Sequence, residues 1–527
     1  MSFNNAPKLL TRVLATAISS LFVQAAYAIT NSATVTNNGD YYNNQTYVNA
    51  GEITNNGNAE NGASFINDST GIFNNNAYAG NNDIVINNGT FENNSTGKLH
   101  NSSEASYSNF GTINSSGKIV GNGAFSNSGT IDITGGYLGT AKDHIGTFLQ
   151  NGNSSLTISD GHQNYIDNLN LDSHSGGTIL LSTNNDIIAV SSSYTNSAWS
   201  YETGNSFSAL AGVSGSGQIV STAASPQQAI SVNNGSYLTT NQTINFGTTH
   251  VGANGDSQTF SIENAAAGPK IQGAIQTESL NGNLNLSDPA DHPISTSSGA
   301  QYGPLATGSN TGTYTLSENT NLAGSLAGSV NVVDNFSQTQ TLSTEGGVYD
   351  YALAELKNGS LGTLTGTTSI SGSSPVTTVF DTLNLGALNA HGVYSDTLTL
   401  SNVFLSSFQD SLHGTYSFSG LPNWVTIQST SGSSFNLGAG NSQMLNLAFH
   451  VNNPDLGLFN QQITIALYDY NADINGYNSG NGQFIGDINL SITGSVVSEP
   501  GSIWLVGIAG LGLIATVGNP QRRNRLR

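Results

Sequence analysis

Ile86-Asn87-Asn88-Gly89-Thr90-Phe91, Ser108-Asn109-Phe110-Gly111-Thr112-Ile113 and Ser126-Asn127-Ser128-Gly129-Thr130-Ile131 repeat one pattern: Asn, a spacer, Gly, a spacer, then an apolar residue. Earlier copies read Val35-Thr36-Asn37-Asn38-Gly39-Asp40-Tyr41 and Val48-Asn49-Ala50-Gly51-Glu52-Ile53. Phe65-Ile66-Asn67 before Gly71-Ile72-Phe73 is a copy with two extra residues. From Gly51 the glycines fall at 51, 71, 89, 111 and 129, spacings of 20, 18, 22 and 18, and Gly97 and Gly117 form a second series. A period near 20, with short strands and Gly or Asn at the corners, is what one rung of a parallel β-helix requires. Gly permits a corner with positive φ, and Asn tolerates it. Stacked rungs bury Ile, Phe and Val in continuous rows, and aligned Asn amides hydrogen-bond from rung to rung. The regular apolar positions argue against a disordered Asn-rich segment.

Weaker strand signals continue through Leu156-Thr157-Ile158, Ile166 to Leu171, Gly177 to Leu181 and Gly217 to Val220, which puts the solenoid at residues 29–230. These rungs resemble bacterial surface β-helices of the autotransporter and haemagglutinin type, although the C-terminal β-barrel of a classical autotransporter is lacking. The composition agrees with stacking. Of 527 residues only 8% are charged, against roughly 25% in an ordinary globular chain. In-register stacking sets like residues above one another, where repeated charges would repel.

From residue 29 to 498 there are 5 basic side chains, all Lys, against 31 acidic ones, a net charge of −26. Nucleic-acid binding rests on Lys and Arg neutralising phosphates, so that partner class is excluded. Cysteine is absent, which removes disulfides, thiolate nucleophiles and zinc-thiolate sites together.

Beyond the solenoid, Ile244-Asn245-Phe246-Gly247 leads to Phe260-Ser261-Ile262-Glu263-Asn264, and Leu383-Asn384-Leu385-Gly386 leads to Leu398-Thr399-Leu400-Ser401-Asn402. The offsets are 139 at the glycines and 138 at the asparagines. Leu342-Ser343 with Gly346 and Val348 matches Leu490-Ser491 with Gly494 and Val496 in the same way. The pattern predicts an internal duplication, with units at 240–352 and 376–497, each the size of an immunoglobulin-like sandwich. It resembles the choice-of-anchor D family, Ig-like modules of bacterial surface proteins. The shorter link between Gly386 and Asn402 departs from that family's pattern. The resemblance implies spacers or matrix-contact modules.

Both termini read as addresses. Lys8 and Arg12, the apolar run Val13 to Val23, and Ala26-Tyr27-Ala28 have the order of a secretory signal over 1–28, cut by signal peptidase after Ala28. At the other end, Ser498-Glu499-Pro500 precedes the apolar run Ile503 to Val517 and an arginine cluster, Arg522, Arg523, Arg525 and Arg527. Residues 503–517 predict a short hydrophobic helix, marginal as a permanent span. Its arginines would hold that end on the cytoplasmic side. The segment 498–527 resembles the PEP-CTERM sorting signal of Gram-negative bacteria, with Ser498 where that family usually has Pro. The resemblance implies recognition of Ser498, Glu499 and Pro500 by an exosortase-like enzyme. It also implies transient residence in the inner membrane and release to a polysaccharide-rich surface.

Catalytic signals are sparse. The nine histidines show neither metal-ligand spacing nor an H-E-x-x-H motif, and read as surface or loop residues. Asp469, Asn471, Asp473 and Asn475 offer oxygens at alternate positions, as a calcium loop would, but Ile474 stands where an EF-hand needs Gly and no Glu follows at position 12. A polar hairpin loop is the competing reading, and no cofactor is expected. The expectation is an exported, all-β, non-enzymatic surface or matrix protein. It comprises a parallel β-helix, two Ig-like sandwiches and a C-terminal hydrophobic helix, and it contacts extracellular polysaccharide or a neighbouring cell surface. The alternative is a polysaccharide-active β-helix hydrolase using paired carboxylates, which sequence does not exclude.

Overall fold

The computed structural model describes residues 29–498 except 360, 367–368, 374, 420–424, 430–432, 452–456 and 475–481. The signal segment with Ala26 and Ala28, and the C-terminal segment with Glu499, Pro500 and residues 503–517, lie outside the described residues. Among the described residues no helix is long and apolar enough to cross a membrane. Among the described residues the regular structure is strand, with two short 3-10 turns at Ser197–Ser200 and Gly204–Ser206. The chain divides into two compact units: residues 1–244, 257–316 and 328–343, and residues 245–256, 317–327 and 344–527.

The first unit begins as a parallel β-solenoid with three faces. One is a nine-stranded parallel sheet running from Thr34–Asn37 through Glu52–Asn55, Ile72–Asn75, Thr90–Asn93 and Thr112–Ser115 to Val213–Gly215. Typical four-residue strands bury positions 2 and 4 and turn 1 and 3 outward, as in Thr90–Asn93 and Lys98–Asn101. Position 2 is apolar, giving the row Ile53, Phe73, Phe91, Ile113 and Ile131. Position 4 is the repeated asparagine as far as Asn93 in this sheet, and then Ser115, Ile133, Ile158 and Leu181. Pairing offsets follow the repeat: Asn49 aligns with Asn67, Asn67 with Asn87 and Asn87 with Asn109.

Those inward asparagines form ladders with one direction. Asn31 Nδ2 donates to Asn49 Oδ1 (2.9 Å), Asn49 to Asn67 (2.8 Å), Asn67 to Asn87 (2.7 Å), Asn87 to Asn109 (2.7 Å) and Asn109 to Asn127 (2.8 Å). Second and third ladders run through Asn37, Asn55, Asn75 and Asn93, and through Asn43, Asn61, Asn81 and Asn101. Spare amide protons reach backbone carbonyls, as from Asn87 to Thr112 O (3.1 Å). A buried polar row is tolerable because its donors and acceptors are matched this way.

The glycines serve a purpose other than the one the sequence suggests. Gly51, Gly71, Gly89, Gly111 and Gly129 do not adopt positive φ, and neither do the ladder asparagines. A Cβ on Gly89 would lie 2.2 Å from the carbonyl oxygen of Gly71, and one on Gly111 or Gly129 2.1 Å from that of the preceding corner glycine. Close approach of stacked backbone, not left-handed geometry, selects glycine here. Charge avoidance is also incomplete, since Lys98 pairs in register with Lys118, and Asp143 sits 3.0 Å from the Lys98 ammonium.

Aromatic rings fill the interior, with Tyr107 and Phe125 stacked at 4.7 Å and Phe125 and Phe148 at 5.5 Å. At the end of the solenoid Trp199 and Phe207 cover the last rungs, and Trp199 Nε1 donates to Ser208 O (2.8 Å).

Gln228–Val232, whose first residues the sequence reading left at the end of the solenoid, pairs antiparallel with Ser257–Asn264. The last solenoid strand is Gln218–Ser221. The physical reason is alternation: Ile230 and Val232 face Ile262 and Phe260 across an antiparallel pair. In the same unit Ile271–Gln276 runs between Gly328–Asp334 and Ala300–Leu305. Asn335 Nδ2 donates to Tyr194 O (3.1 Å), so these strands are fastened to the solenoid.

Asp334 is buried among them. One oxygen accepts from Phe336 N and Gln338 N, and burial pushes its carboxyl up to about 6. A folded value raised above the unfolded one gives stability that is present below about pH 4 and lost as pH rises through 6. Asp334→Asn is expected to remove this dependence and to stabilise the first unit by roughly 1–3 kcal/mol at pH 7.5. Thermal melts at pH 4.5 and 7.5 check this, and an unchanged pH profile would refute it.

The second unit carries a five-stranded and a six-stranded sheet around one core, in which Leu398, Leu447 and Phe449 of one meet Ile465, Ile488 and Leu490 of the other. Leu353–Asn358, ahead of residue 376, belongs to this unit and pairs with Val393–Asn402. Thr377–Asn389 pairs parallel with Gln483–Val497, so the larger sheet is mixed. The duplicated signatures have matching roles. Gly247 (φ 77°) and Gly386 (φ 68°) are left-handed, and their amides donate to Asn245 Oδ1 and Asn384 Oδ1. Asn264 Nδ2 bonds Leu305 O, and Asn402 Nδ2 bonds Leu437 O.

Candidate functional site

The strand Gly457–Tyr470 alternates buried and part-exposed residues, and that alternation turns Asp469 fully inward. Asn471 is buried, Asp473 is exposed, and Asn475 lies outside the described residues. Asn471 Oδ1 accepts from Asp473 N (3.0 Å), closing a local turn, while its Nδ2 donates to Asp410 Oδ1 (2.7 Å). The described oxygens of the predicted calcium loop therefore point different ways, and Asp469 meets residues from elsewhere in the chain.

Those residues are His250 and Asp410. His250 ends the strand Gln242–His250, where Ala253 N bonds back to His250 O (3.1 Å) and Gly252 at φ 80° turns the chain. Asp410 immediately precedes Ser411–Ser419, and its amide donates to Asp350 O (2.9 Å). His250 Nε2 lies 2.6 Å from Asp410 Oδ2 and 3.6 Å from Asp469 Oδ2. Exposures of 7%, 1% and 0% for His250, Asp410 and Asp469 put the cluster out of water. The far oxygen of each carboxylate is held separately, Asp410 Oδ1 by Asn471 and Asp469 Oδ1 by the amide of Ala352 (2.7 Å). Tyr351 stacks on the imidazole with ring centres 4.0 Å apart and planes at 15°.

The reading of every histidine as a surface or loop residue is corrected at His250. A lone His at the end of a strand carries no sequence signal. Its partners lie 160 and 219 positions away, and only the fold brings them together. Asp469 and Asn471 were found through their spacing, although the geometry gives them other partners.

The solenoid holds a different carboxylate pair. Asp186 accepts from Gly161 N (2.7 Å) and Thr183 N (2.5 Å), and Asp160 accepts from His162 N (2.8 Å). Both are buried, and burial raises Asp160 while nearby Asp186 adds to the rise. They cap turns. Also in the first unit, a cleft of about 460 Å³ separates the last rungs from strands Ile271–Gln276 and Ala300–Leu305. Its lining includes Asn170, Asp172, Thr195, Gln272 and Gln301 beside the Trp199 and Phe207 rings.

No protein-family model matches this chain, and no curated protein matches it. Among solved structures it is similar to the CupB6 tip adhesin of Pseudomonas aeruginosa, at 8% identity and a TM-score of 0.19, over 51% of this chain and 99% of that one. It is similar to the Yersinia pseudotuberculosis adhesin InvE at 12% identity and a TM-score of 0.16, over 51% of this chain and 58% of that one. The Vibrio cholerae VesB protease is similar over 22% of this chain at 17% identity and a TM-score of 0.16, and the chain spans 30% of that protease's length.

Proposed function

We propose that this chain is an exported bacterial surface or extracellular-matrix protein with a structural and adhesive role. The observation that carries the reading is the solenoid: one buried apolar core runs from Ile53 to Ile219, and an amide ladder runs along it from Asn31 to Gln150. Outward positions such as Thr90, Thr112, Asn114 and Thr130 present hydroxyls and amides with few charges. Such a surface hydrogen-bonds neutral glycans over many weak contacts, and multivalence turns weak contacts into retention. The polar cleft beside Trp199 is the place where a glycan segment would be enclosed.

The paired sheets that follow act as Ig-like spacer or matrix-contact modules of the choice-of-anchor D kind. Residues 498–527 act as a PEP-CTERM-like signal processed by an exosortase-like enzyme, after signal peptidase has removed residues 1–28. The strong negative charge keeps copies from clumping.

The test is the mass of the protein recovered from culture medium and from cell envelopes, together with surface attachment in a deletion strain. Expected are a released form ending near Ser498 and reduced matrix retention without the gene. Full-length protein held only in membranes would remove the sorting reading, and unchanged attachment would remove the adhesive one.

A further inference from the structure

We infer that His250, Asp410 and Asp469 bind a divalent transition-metal cation of the zinc class within the second unit, tying together the three separate segments that carry them. The first reason is geometric. One imidazole nitrogen and two carboxylate oxygens converge, all within 4.8 Å of one another. Ligands about 2.1 Å from a tetrahedral zinc ion lie roughly 3.4 Å apart. The two nitrogen-to-oxygen separations, 2.6 and 3.6 Å, bracket that value.

The second reason is charge, and it is independent of the first. Two carboxylates and one imidazole share this buried place. Among the described residues of the second unit, Lys357 is the one lysine or arginine. Its ammonium lies 2.6 Å from Glu355. Gathering two carboxylates in a buried place is costly, and a divalent cation that takes both as ligands offsets that cost.

The third reason is orientation. The outer oxygens are held by Asn471 Nδ2 and Ala352 N, and Tyr351 fixes the ring. Partners of this kind aim the inner Oδ2 atoms and Nε2 at a common point, as second-layer contacts do around metal ligands. An imidazole in the set favours zinc over calcium, which takes six to eight oxygens. Water would complete the coordination.

The test uses the full chain, purified without chelator, exposed to equimolar ZnCl2 or to 1 mM CaCl2, and gel-filtered before elemental analysis. Expected are one zinc per chain, no retained calcium, and a rise in the melting temperature of the second unit that EDTA reverses. His250→Ala and Asp410→Asn should each lower zinc retention at least tenfold, while Asp473→Asn, an exposed neighbour, should not. Because the variants can fail to fold, X-ray absorption of the zinc-loaded wild type provides a separate reading. A shell of nitrogen and oxygen with one imidazole supports the proposal. A shell without imidazole, wild-type zinc below 0.1 per chain, or full retention by folded His250→Ala overturns it, and the cluster is then held by a proton alone.

Discussion

Asn87→Asp is expected to destabilise the solenoid by about 3–5 kcal/mol at neutral pH and by much less near pH 3.5. The substitution keeps the shape of the side chain and changes one atom. Asn87 is fully buried, accepts from Asn67 Nδ2 at 2.7 Å, and donates to Asn109 Oδ1 at 2.7 Å and Thr112 O at 3.1 Å. An aspartate keeps the acceptor but sets a carboxylate oxygen against two carbonyl oxygens in a fully buried site. Repulsion and burial both disfavour the charged form, so the new carboxyl titrates in the folded state well above its unfolded value near 4. The sign follows: stability is retained below about pH 4, where the acid is protonated and donates one hydrogen bond, and is lost as pH rises through the folded value. Denaturant melts of wild type and variant at pH 3.5 and 7.5 measure the difference. Asn88→Asp, one residue on and exposed, is the control and should change stability by roughly 0.5 kcal/mol or less. Equal losses at both pH values would show that the ladder's donor direction is unimportant.

Phe125→Ala should cost about 3–5 kcal/mol of solenoid stability at any pH. The ring is 1% exposed and lies between Tyr107 and Phe148 at 4.7 and 5.5 Å, nearly parallel to both. Removing it leaves a void between two rings held by separate rungs. Neither can follow, because the backbone ladders Ser106–Asn109 to Lys118–Asn127 and on to Ile145–Gln150 fix their spacing. In a stacked array each rung depends on its neighbours, so the damage is local in origin but spreads along the axis. Hydrogen exchange is the suitable readout. Amides near residues 106–150 should lose protection by a factor of 100 or more, while those of the second unit should not change. Loss spread evenly over both units would mean that the solenoid is not an independent cooperative element.

How much of this was legible beforehand depended on how far apart the interacting residues lie in the chain. The ladder Asn49, Asn67, Asn87, Asn109 and Asn127 was visible because each member meets a copy of itself one period on, and a repeat announces its own contacts. The corner glycines were found by the same periodicity but assigned the wrong cause. Their φ is ordinary, and what excludes a Cβ is the carbonyl of the rung before, a distance that exists only after stacking. At Gln228–Val232 the sequence offered an apolar alternation that suits a solenoid strand and an antiparallel partner equally well. The pairing with Ser257–Asn264 decided it.

The candidate metal centre was the least legible feature. Asp469 and Asn471 stand at alternate spacing in the sequence, yet the side chains that gather beside Asp469, His250 and Asp410, come from other segments and match no motif. Sequence by itself determined the all-β character, the rung period, the amide ladders and the acidic, cysteine-free surface, since composition and self-similarity are local properties that stacking only multiplies. Tertiary structure alone decided where the solenoid stops, why its glycines are glycine, and that one imidazole and two carboxylates share a buried point. Those outcomes depend on closures between segments tens to hundreds of residues apart, where the excluded volume and uncompensated charge of the folded chain, not the identity of adjacent residues, set the arrangement.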